Sequence, residues 1–296
     1  MLLNRILPLT SIISFVILIC SLIPSNTLAQ ENQPDFFSPE NRMNFGNKLF
    51  CEKDYLRAIY EYRAFLGKTN NDTIRFKVAF ALQEMEKYDE SIDNFKSLFF
   101  NSYLESPARL SFYKSHFLKN DFQRFRQLAT QELYLGDKIL SPIKKLYQVS
   151  YLIENSLPDS ASFINVFEDD ERDQMLKLFL QKKYPNYKSE STATILSAII
   201  PGLGKIYADE IGDGITSFLL TGILGFLAYN NFENNHPTRG WIFSGLAAYF
   251  YAGNIYGSAA AVQNFNAGIN FNFDTDLNFY LNSKEYFIPK PDFLCK

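Results

Sequence analysis

A recurrence of about 34 residues in the first half of the chain constrains the fold more than any other feature. A polar residue followed by an aromatic ring returns at intervals of 33 and 34, at Asp54-Tyr55, Lys87-Tyr88 and Asp121-Phe122. Each ring begins a stretch with apolar residues at helical spacing. A second helical stretch precedes each one, with Gly46, Ala79 and Tyr113 nine positions before the ring. The pattern predicts pairs of helices.

A helix-turn-helix period of this length resembles the tetratricopeptide repeat family. One such unit cannot bury its apolar face alone, so its neighbours must stack into a solenoid. Residues 30–188 are therefore predicted to form a tetratricopeptide-like repeat domain, completed by helices over Leu140–Ile153 and Ala161–Tyr184. The third repeat is degenerate, because Tyr113 and Phe125 are large for close helix contacts. An irregular helical bundle is the alternative.

Repeat solenoids bind extended peptides in a concave groove lined by the first helix of each repeat. By register, this predicted groove contains Asn47, Phe80, Gln83 and Lys114. We expect Phe80 to be more exposed than Phe95, which points into the stack. The expected partner is a protein or a peptide.

Residues 1–29 have the pattern of a secretory signal peptide. A basic start at Arg5 precedes an apolar run, and small residues end at Ala29. An uncleaved anchor is the alternative, because the run is just long enough to span a bilayer. Both interpretations place the following segment outside the cytoplasm.

Two cysteines, Cys51 and Cys295, would remain in a mature chain. An oxidising compartment permits a disulfide between them. Nothing in the sequence fixes the distance between these positions, so we expect two unpaired thiols, with the disulfide as the alternative.

The composition changes after a polar linker at 182–190. Two apolar segments, Gly214–Asn230 and Gly240–Val262, predict a transmembrane helical hairpin within a domain spanning 189–266. The second segment is comfortably long and the first is near the lower limit. A buried hairpin of a soluble domain is the alternative.

Small residues in this segment suit helix packing in lipid, where close backbone approach stabilises contacts and could also support an oligomer. Gly253 and Gly257 are candidates for such contacts. Asn254 lies between them, and an amide in hydrocarbon needs a partner. We therefore expect Asn254 to face the first helix or the turn at Pro201–Gly204.

The same segment resembles a bacterial two-transmembrane-helix domain of unknown function, whose members are often fused behind exported tetratricopeptide repeats. Three short motifs carry the resemblance, namely Pro201-Gly202-x-Gly204-x-x-Tyr207, Asp213-Gly214 and Gly253-Asn254-x-x-Gly257. The chain departs from the family pattern at Lys205, where Gln or Arg is common. The resemblance implies no reaction, because the family has no established one.

The last segment, 267–296, alternates apolar and polar residues, which predicts a short β-like tail. Its apolar positions are Ile269, Phe271, Phe273, Leu277, Phe279 and Leu281. The predicted fold class is thus all-α, with a repeat solenoid, a membrane hairpin and this tail.

A net charge of −3 argues against nucleic acid as a partner. The only two histidines, His116 and His236, fall on opposite sides of the predicted membrane. We therefore expect no enzymatic activity, no cofactor and no metal. The sequence predicts a scaffolding module in a bacterial inner membrane, surrounded there by lipid, with its repeats in the periplasm or otherwise outside the cytoplasm. The alternative function is an accessory factor for envelope assembly or transport that acts through the hairpin.

Overall fold

The computed structural model describes residues 35, 37–131 and 136–295. The predicted signal peptide lies outside these residues. Within them the chain forms thirteen α-helices and no strand. The first seven helices are α1 (Pro39–Cys51), α2 (Tyr55–Leu66), α3 (Asp72–Glu84), α4 (Tyr88–Lys96), α5 (Glu105–Leu118), α6 (Phe122–Gln131) and α7 (Asp137–Ile153). The other six are α8 (Ser160–Ile164), α9 (Asp169–Lys183), α10 (Glu190–Ile199), α11 (Leu203–Tyr207), α12 (Ile211–Glu233) and α13 (Pro237–Ser283).

The helices of the first half recur as the sequence predicts. Helices α2, α4 and α6 begin at the three aromatic rings that mark the period. A residue with positive φ, near 60°, precedes each of these helices, at Lys53, Glu86 and Asn120. Asn155 repeats this conformation after α7. The same left-handed turn therefore follows each of α1, α3, α5 and α7.

Contacts between paired helices show how each repeat packs. A Cβ added at Gly46 would lie 2.8 Å from the ring of Tyr62, so only glycine fits there. In the second pair, Ser91 donates a hydrogen bond to the carbonyl of Ala79 at 2.9 Å. The third pair uses two rings, with Tyr113 and Phe125 packed edge to face 6.2 Å apart. Tyr113 and Phe125 thus stand where the other pairs have smaller residues, and both are fully buried.

The prediction of one helix over Ala161–Tyr184 is wrong in detail. The segment forms two helices, α8 and α9, separated by residues 165–168. Glu168 caps α9, because its backbone N–H donates to the Glu171 carboxylate at 3.2 Å. This capping box stabilises the N-terminus of α9, so a new helix begins there.

Helices α12 and α13 run antiparallel. Phe232 near the end of α12 packs against Gly240 at the start of α13, and Ser217 and Asn254 line one cavity further along. Among the described residues, α12 alone is long and apolar enough to cross a membrane by length and composition. The expectation that Gly240–Val262 would be the better span is therefore wrong, because Asn, Ser, Gly and Tyr residues lower its hydropathy.

The predicted β-like tail is also wrong. Helix α13 continues to Ser283, and its 47 residues extend over about 70 Å. The side chains that it buries against the repeat domain are Phe273, Leu277, Tyr280 and Leu281. Their spacing is that of a helix, whereas Phe271 and Phe279, which supported the alternation, are exposed.

Candidate functional site

The first helices of the four helix pairs, on the face predicted to form a groove, are covered by the last described residues of the chain. Beyond α13, residues 284–295 form a short segment, here called the tail, that contacts α7, α5, α3 and α1 in turn. It enters beside Lys145 and Lys114 and ends at Cys51. The tail therefore contacts α7, α5, α3 and α1 along a path that turns at 284–287 and at 292–295 and has no regular structure at 288–291.

The tail enters the groove through three residues with unusual backbone geometry. Glu285, Tyr286 and Phe287 have φ values of 49°, 60° and 60°. Non-glycine residues in this left-handed region cost roughly 1–2 kcal/mol each. The surrounding contacts must offset this cost, because three such residues in succession are not stable by themselves.

Lys114 supplies the main polar contact at this point. Its Nζ donates to the carbonyl of Glu285 at 3.0 Å and lies 5.4 Å from the ring centre of Tyr286. Phe117 packs edge to face on the same ring. Burial lowers the pKa of the Lys114 ammonium to about 8. The groove thus holds a desolvated amine against the backbone of the tail.

Aromatic and ionic contacts fix the rest of the tail. The Lys290 Nζ lies 3.2 Å from a carboxylate oxygen of Glu84 and 5.3 Å from the ring centre of Phe80. Phe293 packs edge to face on Phe76, with ring centres 5.2 Å apart. The tail therefore makes side-chain contacts at intervals along its length.

Cys51 and Cys295 form a disulfide, with their Cα atoms 5.6 Å apart. The expectation of two unpaired thiols is wrong. The path of the tail explains the pairing, since it carries the end of the chain along the groove to the first helix. The two cysteines are 244 residues apart in the sequence, so no sequence pattern indicated that they lie close together.

Of the four predicted groove residues, two contact the tail and two do not. Phe80 and Lys114 lie under the tail, whereas Asn47 accepts a hydrogen bond from Lys77 at 2.8 Å. Gln83 donates to Ser115 and so joins α3 to α5. Phe80 is more accessible than Phe95, as expected, but only slightly, at 4% against 0%, because the tail and Phe50 cover its ring.

A second candidate region surrounds the Pro-Gly turn. Gly202 has a φ of 88°, and a Cβ there would lie 1.9 Å from the carbonyl oxygen of Gly214. A Cβ on Gly204 would lie 2.0 Å from the carbonyl oxygen of Ala193. These glycines therefore let α10, α11 and the start of α12 pack backbone to backbone.

Hydroxyl groups connect this turn to α13. Ser197 accepts from the Gly204 N–H at 3.0 Å and from Ser258 at 2.6 Å. Tyr251 donates to the carbonyl of Ala198. The other turn residues are peripheral: Pro201 is half-buried, Tyr207 accepts from a backbone N–H at the linker, and Asp213 is exposed. Serine residues therefore carry the contact that sequence reasoning assigned to Asn254.

Asn254 shares a cavity with residues of the first helix and not with Pro201–Gly204, and both of its amide atoms are buried without a hydrogen bond. It lines a cavity of about 190 Å³ with Lys205, Ser217 and Thr221. Gly257 sits against the Lys205 side chain, whereas a Cβ on Gly253 would meet nothing within 4 Å. The predicted close contact at Gly253 is therefore not made.

Among residues 35, 37–131 and 136–295, no group of three or more His, Cys, Asp or Glu side chains is placed to hold a metal ion. No family model, characterised protein or solved structure matches the chain. The function is therefore argued from the geometry of the groove and of the α12–α13 region.

Proposed function

We propose that the chain is a membrane-tethered, extracytoplasmic interaction module, in which a tetratricopeptide-like groove binds an extended peptide segment of a partner protein. The tail is the resident occupant of that groove. The observation that carries the proposal is the path of residues 284–295 across α7, α5, α3 and α1, in which residues 288–291 lie between two turns. This is the binding mode of helical-repeat grooves.

The surface of α12 and α13 supports the membrane tether. In the most apolar window of α12, only 17% of the residues are buried, so this helix is not the core of a soluble domain. Large apolar side chains are exposed on both helices, including Phe218, Ile223, Phe226, Trp241, Ile242 and Leu246. Exposed apolar side chains clustered on two neighbouring helices are typical of a surface that meets lipid or a partner.

The docked tail constrains how α12 and α13 cross the membrane. The Cys51–Cys295 disulfide requires the first repeat and the tail to lie on the same side. A crossing by α12 therefore requires a return crossing by α13, although α13 is not apolar enough to count as a span by composition alone. The length of α13 suits this, because its first half runs beside α12 and its second half packs on the repeat domain. A disulfide is also expected in an exported domain.

The tail indicates what a partner segment would contain. Its buried side chains are Phe287, Ile288 and Leu294, and Phe293 packs beside them. An extended segment with two apolar pairs, spaced like Phe287-Ile288 and Phe293-Leu294, would make the same contacts. A basic residue between the pairs would reach Glu84, as Lys290 does.

A peptide-binding measurement on the full chain in mild detergent tests the groove. The combined substitutions Phe293→Asp and Cys295→Ser should release the tail. A fluorescent peptide of residues 284–296, with serine at 295, should then bind the released variant and not the wild type. Adding Phe80→Ala to the released variant should weaken this binding at least tenfold. Tyr60→Ala, at a position far from the tail contacts and 69% exposed, is the matched control and should leave it unchanged.

The groove would not be a peptide site if the released variant melted cooperatively yet failed to bind the peptide. Equal affinity in the Phe80→Ala and Tyr60→Ala variants would also contradict it. Cys295→Ser alone provides a milder release, should the combined variant lose its cooperative melting.

A second candidate function is that of an accessory factor for envelope assembly or transport, acting through α12 and α13. The unsatisfied polar atoms of Asn254 favour it, because such groups inside a membrane domain are generally functional. Loss of partner capture on replacing Asn254, with peptide binding intact, would favour this candidate over the first.

A further inference from the structure

The cavity between α11, α12 and α13 contains polar groups without hydrogen-bond partners, most of them donors. The Lys205 Nζ makes one hydrogen bond, to the Ser217 hydroxyl at 3.2 Å. The Asn254 Nδ2 and Oδ1 and the Thr221 hydroxyl make none in the described structure, so the amide leaves one acceptor unpaired as well as its donors. Asn254 is only 5% exposed, so bulk water does not satisfy its amide.

The charge of the cavity indicates which ligand it fits. Its lining includes the Lys205 ammonium and no carboxylate. No ion pair involves Lys205 in the part of the chain that the structure describes. Three sets of donors from three helices therefore converge on a space of about 190 Å³ with a positive charge at its edge. An anionic oxygen group, such as a phosphate, satisfies donors of this kind.

The position of the cavity indicates where that group comes from. Ser217 lies six residues from the start of α12, about 9 Å along the helix axis. The repeat-domain side of the bilayer is therefore the nearer surface. Leu220 and Phe250 also line the cavity, and both are exposed on the apolar surface of the helices. A lipid chain could lie against them while its phosphate enters the cavity.

We propose that this cavity binds the phosphate of an anionic phospholipid, with Lys205, Asn254 and Thr221 as hydrogen-bond donors. The inference rests on membrane insertion of α12 and α13, and not on peptide binding by the groove. Lipid binding can therefore fail while the groove binds its peptide, and the reverse also holds.

Native mass spectrometry of the full chain in neutral detergent tests the site. Phosphatidylglycerol should bind more tightly than phosphatidylcholine. Lys205→Met and Asn254→Leu should each raise the apparent Kd for phosphatidylglycerol at least tenfold. Lys183→Met is the matched control, because it removes the same charge from an exposed position outside the cavity and should leave the Kd unchanged. A parallel titration with inorganic phosphate distinguishes a lipid site from a phosphate-ion site.

Three results would overturn the proposal. Equal phosphatidylglycerol affinity in wild type and Lys205→Met would mean that the cavity holds only water. Equal weakening in Lys183→Met would mean that lipid binding is nonspecific attraction to surface charge. Competition by inorganic phosphate at equal concentration would mean that the site takes the free ion. Flotation of each variant with liposomes verifies membrane insertion independently.

Discussion

At the residue scale, buried lysines distinguish the groove from an ordinary helical core. Lys77 and Lys114 are both nearly inaccessible, and burial lowers the pKa of each. Each amine is satisfied by an oxygen acceptor, Asn47 for Lys77 and the Glu285 carbonyl for Lys114. Sequence register predicted Lys114 as a groove residue but gave no sign that its hydrogen-bond acceptor would come from 171 residues away.

The lowered pKa of Lys114 predicts a pH dependence of stability. Below pH 8 both the folded and the unfolded chain carry the charge, so its burial cost is fully present. Between pH 8 and 10.5 the unfolded chain binds the proton and the folded chain does not, so stability rises with pH. Wild type should therefore gain up to about 3 kcal/mol relative to Lys114→Met across this window.

Denaturant unfolding of both proteins in detergent from pH 7 to pH 10.5 measures this difference. Ionisation of other groups is common to both proteins and cancels. Lys68→Met, at an exposed position, should give a curve parallel to that of wild type. A constant gap between wild type and Lys114→Met would show that Lys114 is not desolvated.

At the element scale, the sequence predicted what depends on local periodicity. The 33–34 residue period located the starts of α2, α4 and α6, because each repeat restates the same turn and the same helix contacts. The region after 267 was interpreted wrongly, because six apolar positions fitted alternation. Phe273, Leu277, Tyr280 and Leu281 fit a helix as well, and burial against α9 and the repeats decides between the two.

The candidate sites likewise divide into features that a local sequence motif predicts and features that depend on distant parts of the chain. The turn glycines Gly202, Gly204 and Gly214 were recognised from their motif, and they do make the closest backbone contacts. The tail in the groove was not recognised, because its contacts depend on where a 47-residue helix delivers the end of the chain. No local sequence pattern indicates where the end of such a long helix lies relative to the repeats.

The close packing of α10 against α11 predicts opposite effects for two glycine substitutions. Gly204→Ala places a Cβ 2.0 Å from a backbone oxygen, so α10 must move. Overpacking of this kind costs about 1–3 kcal/mol. Gly212→Ala meets nothing within 4 Å at the start of α12 and should stabilise by up to about 1 kcal/mol. Melting temperatures in detergent should fall for the first and hold or rise for the second, and equal temperatures would contradict this packing.

At the scale of the whole molecule, the tail joins the two ends of the described chain. It connects the end of α13 to the repeats through the Cys51–Cys295 disulfide. The chain between these two cysteines, which includes α10 and α11, therefore forms a closed loop. Apolar side chains from Leu49 to Leu294 belong to a single buried cluster. Stability of the repeats should therefore depend on residues more than 200 positions away.

Removal of the disulfide tests this dependence. Cys295→Ser and Cys51→Ser should each lower stability by about 2–5 kcal/mol, by freeing a very long loop in the unfolded chain. The two variants should resemble each other, since either one removes the same bond. Thiol alkylation before and after reduction should show both cysteines protected in wild type. Labelling of either thiol in native, unreduced protein would contradict the pairing.

The central claim is that the repeats and the tail share one side of a membrane and that the α12–α13 connection lies on the other. Its most direct test is labelling of intact spheroplasts with a membrane-impermeant maleimide. Single cysteines would replace Lys68, Asn234 or Asp292, all exposed, in a chain whose native cysteines are serine. We expect labelling at 68 and 292, and labelling at 234 only after permeabilisation. Labelling at 234 in intact spheroplasts, or opposite results at 68 and 292, would contradict the account.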